Sequence, residues 1–203
     1  MNQNPKTPPW GFFALVSYIP DPLGSLLHEL RQALPGDDNP RPHITILPPR
    51  PLKLPIEAAS KQARKILRQF PPFEVELSRV SRFSQTDFLY LDVGDGGPFL
   101  HHLHDALNTG DLNYLEELEF RPHLTLGGPV SARNLEATQE VAEAAWHSLL
   151  HLRRFTLDEV AALWLSPGNG QGQWERVWSH RLREPRTEAL RLPAAAAVTS
   201  QTS

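Results

Sequence analysis

From Phe12 to Ile19 every residue except Ser17 is apolar or aromatic, and Gly11 and Pro20 close the run at either end. A short run of aromatic and branched side chains between breakers predicts a buried strand. Asp21 at the cap and Pro22 at the first helical position then open a helix. Its Leu23, Leu26, Leu27, Leu30 and Leu34 recur on one face, and Pro35-Gly36 ends it. After a polar loop, His43–Leu47 predicts a second strand, stopped by Pro48-Pro49. A helix from about Pro55 carries Ile56, Ala59, Ala63, Ile66 and Phe70 inward. Phe73–Val80 begins with the apolar–polar alternation of a half-buried strand.

The same order then recurs. Phe88–Val93 predicts a strand, and Pro98 opens a helix with Phe99, Leu103 and Leu107 inward. His123–Leu126 predicts another strand. A helix from about Asn134 carries Leu135, Thr138, Ala142, Ala145 and Leu149, and Phe155–Leu165 predicts a further strand. Trp174–Leu182 adds a last one, after the turn-rich "SPGNGQGQ". Strand–helix–strand–helix–strand twice, at nearly equal offsets, predicts an internal duplication. Packing about a pseudo-two-fold axis would bring equivalent strands face to face.

Composition narrows this. The chain has 203 residues and is 40% hydrophobic, enough for one ordinary domain or two small lobes sharing a core. Its formal charge of -3 gives no overall positive field, so any nucleic-acid contact must be local. Without Cys there is no disulfide framework, thiolate metal site or Cys nucleophile. Phe12–Ile19 is too short to span a membrane, and its flanks lack the marks of a signal peptide. The expectation is a soluble, cytoplasmic monomer. Its ends, 1–10 and 184–203, are expected to be a flexible N-terminus and a disordered tail around a domain at 11–183.

The chemistry lies in a repeated hexapeptide. "RPHITI" covers Arg41–Ile46, and "RPHLTL" covers Arg121–Leu126. Strand alternation puts His43 and Thr45 on one face and Ile44 and Ile46 on the other. It does the same for His123 and Thr125 against Leu124 and Leu126. Two such pairs facing one another give two imidazoles and two hydroxyls. At a phosphodiester one imidazole can take a proton from an attacking water while the other protonates the leaving oxygen. The hydroxyls can donate to the non-bridging oxygens. Which His is acid and which is base the residues leave open.

These paired motifs, His43-Ile-Thr45-Ile46 and His123-Leu-Thr125-Leu126, each preceded by Pro, resemble those of the two-histidine (2H) phosphoesterases. That superfamily includes the bacterial 2'-5' RNA ligase and RNA 2',3'-cyclic phosphodiesterase group. The resemblance runs from Phe12 to about Leu182. It implies an α+β, bilobal fold: two pseudo-symmetric strand-helix-strand-helix-strand lobes, about 11–83 and 86–166, with a returning strand at 174–182. Their largely antiparallel sheets would face a central groove. It implies His43 as proton donor, His123 as proton acceptor, Thr45 and Thr125 as phosphate-binding residues, and no metal or other cofactor. The expected partner is an RNA end or a small cyclic nucleotide, with neither DNA nor a membrane. The expected reaction is hydrolysis of RNA-type 2',3'-cyclic phosphates or related small cyclic phosphodiesters; alternatives are ATP-independent 2'-5' RNA ligation and a non-catalytic RNA-end or nucleotide-binding module. "LPPRPL" follows the first motif where many ligase-like members have an aromatic-Gly turn, a departure that bears on the substrate.

Other candidates are weaker. His101 and His104 are helical neighbours that could hold a metal, but a solvated helix face is the expectation. Asp92 and Asp95 lack the spacing of a calcium loop. Arg41, Arg50, Arg79, Arg82 and Arg121 could meet phosphates, and Phe83, Phe88 or Trp164 could stack a base.

Overall fold

The computed structural model describes residues 8–35, 41–131, 133–167 and 173–184. β1 (Phe12–Tyr18) is buried at every position from Phe13 to Ser17. It is an inner strand, with both faces covered and both edges paired, which explains the unbroken apolar run. On one side lies β2 (His43–Pro51), and on the other β7 (Glu159–Leu165), which pairs in turn with β8 (Glu175–Arg181). The second sheet runs β5 (His123–Gly127), β4 (Leu89–Val93), β3 (Phe73–Arg82), β6 (Arg154–Leu157). Every pairing in both four-stranded sheets is antiparallel, and the fold is α+β.

Among the described residues four α-helices connect the strands: α1 (Leu23–Gln32), α2 (Ile56–Leu67), α3 (Gly97–Leu107) and α4 (Leu135–His147). The Asp21 carboxylate accepts from the Ser25 backbone N–H (3.0 Å) and hydroxyl (2.7 Å), occupying a donor at the start of α1. Leu15, Leu27, Ile44 and Leu47 share one buried cluster with Leu77, Leu91, Leu124 and Leu126. Both sheets therefore contribute to a single core, each such side chain adding roughly 1.5–3 kcal/mol.

The sheets do not follow the two halves of the sequence. β3 belongs to the sheet of β4 and β5, and β7 to the sheet of β1 and β2. The single strand expected at Phe155–Leu165 is two, broken at Asp158, whose carbonyl accepts the Leu182 N–H at 2.7 Å. β6 pairs with β3 and β7 with β1, so this run passes from one sheet to the other. Side-chain periodicity fixes which face a strand buries but not its neighbour. The expected flexible ends fall largely outside the described residues, as does most of the 166–173 loop. No described helix is long and apolar enough to cross a membrane.

Gly11, at φ 76°, ties these strands together where β1 begins. Its carbonyl accepts the Leu52 N–H at 2.9 Å, and a Cβ there would sit 2.1 Å from the Leu165 carbonyl oxygen. Gly11→Ala is expected to destabilise the fold by about 1–3 kcal/mol or more, read as a lower midpoint in thermal unfolding. An unchanged midpoint would show that this junction tolerates a side chain.

Candidate active site

β2 and β5 are the edge strands of their sheets and lie against one another. In β2, His43 and Thr45 are half-buried while Ile44 and Ile46 are fully buried; in β5, His123 and Thr125 alternate with buried Leu124 and Leu126 in the same way. Cross-strand register sets Tyr18 opposite His43 and Val16 opposite Thr45. In the second sheet Asp92 is opposite His123 and Tyr90 opposite Thr125.

Each imidazole is held by its own chain. His43 Nδ1 lies 2.8 Å from the Arg41 carbonyl oxygen, and His123 Nδ1 lies 2.7 Å from the Arg121 carbonyl oxygen. A carbonyl only accepts, so each Nδ1 carries the proton and donates it. The Nε2 atoms are thereby left to exchange protons. The intervening Pro42 and Pro122 favour extended backbone at the residue before them, where these carbonyls originate. Ring edges fix the rest: Tyr18 packs against His43 (centroids 6.1 Å apart), and Phe83 and Tyr90 against His123 (4.9 and 5.4 Å).

Burial pushes the pKa of both imidazoles below the ordinary value, while the two carbonyl bonds pull back upward. The remaining charges differ. Arg31 and His123 further depress His43. At His123 the Arg121 guanidinium depresses and Asp92 raises. Burial opposes ionisation of Asp92, but hydrogen bonds from Ser81, Arg79 and Arg121 hold its carboxyl below the ordinary value. Its partners include Arg121 at 2.7 Å and Arg79 at 3.1 Å.

Two cavities open beside the second motif. One, of about 480 Å³, is lined by Thr45, Pro48, Phe83, Tyr114, Phe120 and His123, among others. The other, of about 500 Å³, is lined by Phe88, Gln85 and Thr125. Phe83, Leu118, Glu119, Arg121 and His123 border both. His43 is in neither lining, but the charge of His123 opposes its own. Thr45 and Thr125 thus line two adjoining cavities that share His123, whose charge acts on His43.

The 113–120 segment, which carries no sequence motif, forms the outer wall. Glu116 and Glu117 line the first cavity, Leu118 is 61% exposed and Leu115 90% exposed. The anchor of this wall is Arg50, expected among possible phosphate contacts but only 1% exposed. Its guanidinium donates to the Pro48 carbonyl (3.0 Å), the Asn108 side chain (2.6 Å), the Leu112 carbonyl (2.9 Å) and Glu116 (2.6 Å). His104, expected on a solvated face, is buried: it stacks on Phe120 at 3.9 Å and bonds Glu116 and Asp105, both at 3.0 Å. Leu100 and Leu107, one turn away on either side, place His104 on the buried stripe of α3. Of the other candidates, Arg41 lies over the Tyr18 ring (5.1 Å) and Arg121 over the Tyr90 ring (5.2 Å). Trp164 lines a different cavity, beside α2.

Residues 19–169 match the model of the 2'-5' RNA ligase superfamily. A Geobacillus thermodenitrificans protein named "Putative phosphoesterase" is 32% identical over 94 residues, 42% of this chain and 54% of that protein. The chain thus spans about half the length of this curated relative. Among solved structures, Escherichia coli LigT in complex with phosphate superposes with a TM-score of 0.57 at 16% identity, covering 86% of this chain and 98% of that one. Kluyveromyces marxianus Usb1 gives a TM-score of 0.55 at 11% identity, covering 75% and 93%. At these identities the structures show a shared fold.

Removing Glu116 leaves a buried guanidinium short of its carboxylate. Glu116→Ala is expected to cost about 3–5 kcal/mol and to loosen the cavity wall. Thermal unfolding would fall, and limited proteolysis would cut within 113–120 faster than in the parent. Equal proteolysis of the two proteins would remove Arg50 as the anchor of the wall.

Proposed function

Because the chain belongs to the 2'-5' RNA ligase superfamily, whose model spans residues 19–169, we propose that it is a metal-independent phosphodiesterase hydrolysing RNA-type 2',3'-cyclic phosphates or related small cyclic phosphodiesters. One observation carries this reading. Two imidazoles from equivalent strands have Nδ1 tied to a carbonyl and Nε2 left for proton exchange, each beside a threonine hydroxyl two residues along.

In the proposed reaction water adds to phosphorus as His123 Nε2 takes its proton. The bond from phosphorus to one ribose oxygen breaks, and His43 Nε2 gives that oxygen a proton. A phosphomonoester with a free neighbouring hydroxyl results. Thr45 and Thr125 donate to the non-bridging oxygens, where negative charge builds. The surroundings favour this division of labour. At His123 Asp92 works against the depressing Arg121 guanidinium and in favour of the imidazolium, whereas at His43 the charges of Arg31 and His123 both make the proton easier to give up.

His43→Ala and His123→Ala are each expected to lower turnover of 2',3'-cyclic AMP by about 10² to 10⁴ with the fold kept. Thr45→Ala and Thr125→Ala should cost less, since the proton relay survives. Near-parental rates in a folded His variant would sink the mechanism. Turnover should persist in chelator; loss there, restored by one divalent cation, would point to a metal-bound nucleophile instead.

The rate against pH is expected to be bell-shaped, because one imidazole must be neutral while the other is protonated. Both pKa values are depressed by burial, so the maximum of kcat/KM should lie on the acid side of the ordinary imidazole value of about 6.5. Bound phosphodiester anion favours the protonated form, so the alkaline limb of kcat should fall at higher pH than that of kcat/KM. A profile that only rises through pH of about 9 would exclude His123 as the base.

A further inference from the structure

A second concavity lies on the other side of the first sheet. Cross-strand register puts Thr45 on one face with Val16 and Ala161, and Leu47 on the other with Leu15, Ala162 and Trp178. On that second face α2 packs over β8, where Trp178 Nε1 donates to the Ser60 hydroxyl at 2.7 Å. Between them is a groove of about 850 Å³, lined by Lys61, Arg64, Lys65 and Arg68 with Trp164 and Trp178. Arg68 also borders an adjoining cavity of about 560 Å³ with Arg181 and Arg183.

The charge pattern asks for an anion. Lys61 with Lys65, and Arg64 with Arg68, are like charges one helical turn apart, which works against the helix. Glu57 and Glu184 are the carboxylates in the two linings, against six Lys and Arg. This clustering stands in a chain of net charge -3. His180, in the second lining, feels the field: burial depresses its pKa, and Arg68, Arg64 and Arg183 depress it further. Arg64 sits over the Trp178 ring at 4.7 Å, so a guanidinium and an aromatic surface meet within the groove. Cations that follow a backbone beside rings that stack bases are what single-stranded nucleic acid requires. A bilayer would be met by a projecting apolar face rather than a groove.

We propose that the α2–β8 groove is a second binding site, taking the body of a single-stranded RNA. The choice of RNA rests on the function proposed above. β8 lies three inter-strand spacings from β2, about 14 Å, so a strand of several nucleotides is needed to occupy both faces. The site therefore separates RNA substrates from cyclic mononucleotides.

The test uses the full chain carrying His43→Ala and His123→Ala, so that nothing is turned over. A labelled single-stranded RNA of about a dozen nucleotides is titrated by fluorescence anisotropy. Adding Lys61→Ala, Lys65→Ala and Arg68→Ala is expected to weaken binding at least about tenfold and to flatten the salt dependence by about two units of slope. Tryptophan quenching by the RNA should fall in parallel. With the histidines intact, the same triple variant should turn over 2',3'-cyclic AMP at the parental rate but show a raised KM for RNA ending in a cyclic phosphate. Unchanged RNA affinity would overturn the proposal, as would retention on phosphatidylserine vesicles with no RNA binding. If cyclic AMP is not hydrolysed but the triple variant loses RNA, the phosphodiesterase reading fails and the RNA site stands.

Discussion

A histidine whose Nδ1 is committed to a carbonyl two residues back has one nitrogen left for chemistry and one orientation in which to use it. Everything at the candidate site depends on that bond, made once to Arg41 and once to Arg121. Proline between carbonyl and imidazole limits the backbone that offers the acceptor. Next, strand alternation sends Ile44, Ile46, Leu124 and Leu126 into the core. The core thus sets the orientation of the strand, and the strand sets the direction of the ring. A small error of backbone would be transmitted directly to Nε2.

Two such strands are of use only if their separation is fixed. Here the exchange of strands between the halves matters. β3 and β7 each leave their own half of the sequence for the other sheet, so neither sheet can move away without pulling on the other's strands. Helices reinforce this from outside: α1 contacts β5, and α3 contacts β2. Edge strands otherwise present unpaired backbone that invites association. Facing β2 against β5 converts two liabilities into the floor of a groove. Arg50 then pins the segment leading into this wall to β2 through three hydrogen bonds, to Asn108, Leu112 and Glu116.

Much of this was legible in the chain. The duplicated R-P-H-x-T-x gave both strands, their faces and the candidate residues, because period-two alternation is a local property. The run at Phe155–Leu165 reads as one strand because Asp158-Glu159 is a polar break of only two residues, too short to announce a change of sheet. Arg50 looked like a groove cation, since its burial depends on Glu116 and Asn108, distant in sequence. The polar partner that lets His104 be buried is likewise distant: Glu116 lies beyond the end of α3, in the wall. The Glu116–Glu119 wall itself has no motif. Its place over the groove follows from what holds it, and long-range partners are the part of a fold that periodicity does not encode.

Duplication supplies two equal histidines, yet an acid and a base must differ. The motifs themselves are nearly identical, so the difference has to come from neighbours outside them. The register of the second sheet sets Asp92 opposite His123, while the corresponding neighbour of His43 is Tyr18. Asp92 is a carboxylate held ionised by Arg79, Arg121 and Ser81; Tyr18 is an aromatic edge. On the other side Arg31, buried in α1, adds a repulsive charge to His43 alone. The proton taken up during the proposed hydrolysis therefore meets at His123 an anion that works against the Arg121 guanidinium, while at the site of the proton given up both neighbouring charges, Arg31 and His123, oppose it. Because each imidazolium also repels the other, the singly protonated pair is favoured over the doubly protonated one. In the proposed reaction, symmetry in the motif would set an imidazole on either side of the phosphorus, and the unequal charges around the two rings would separate acid from base.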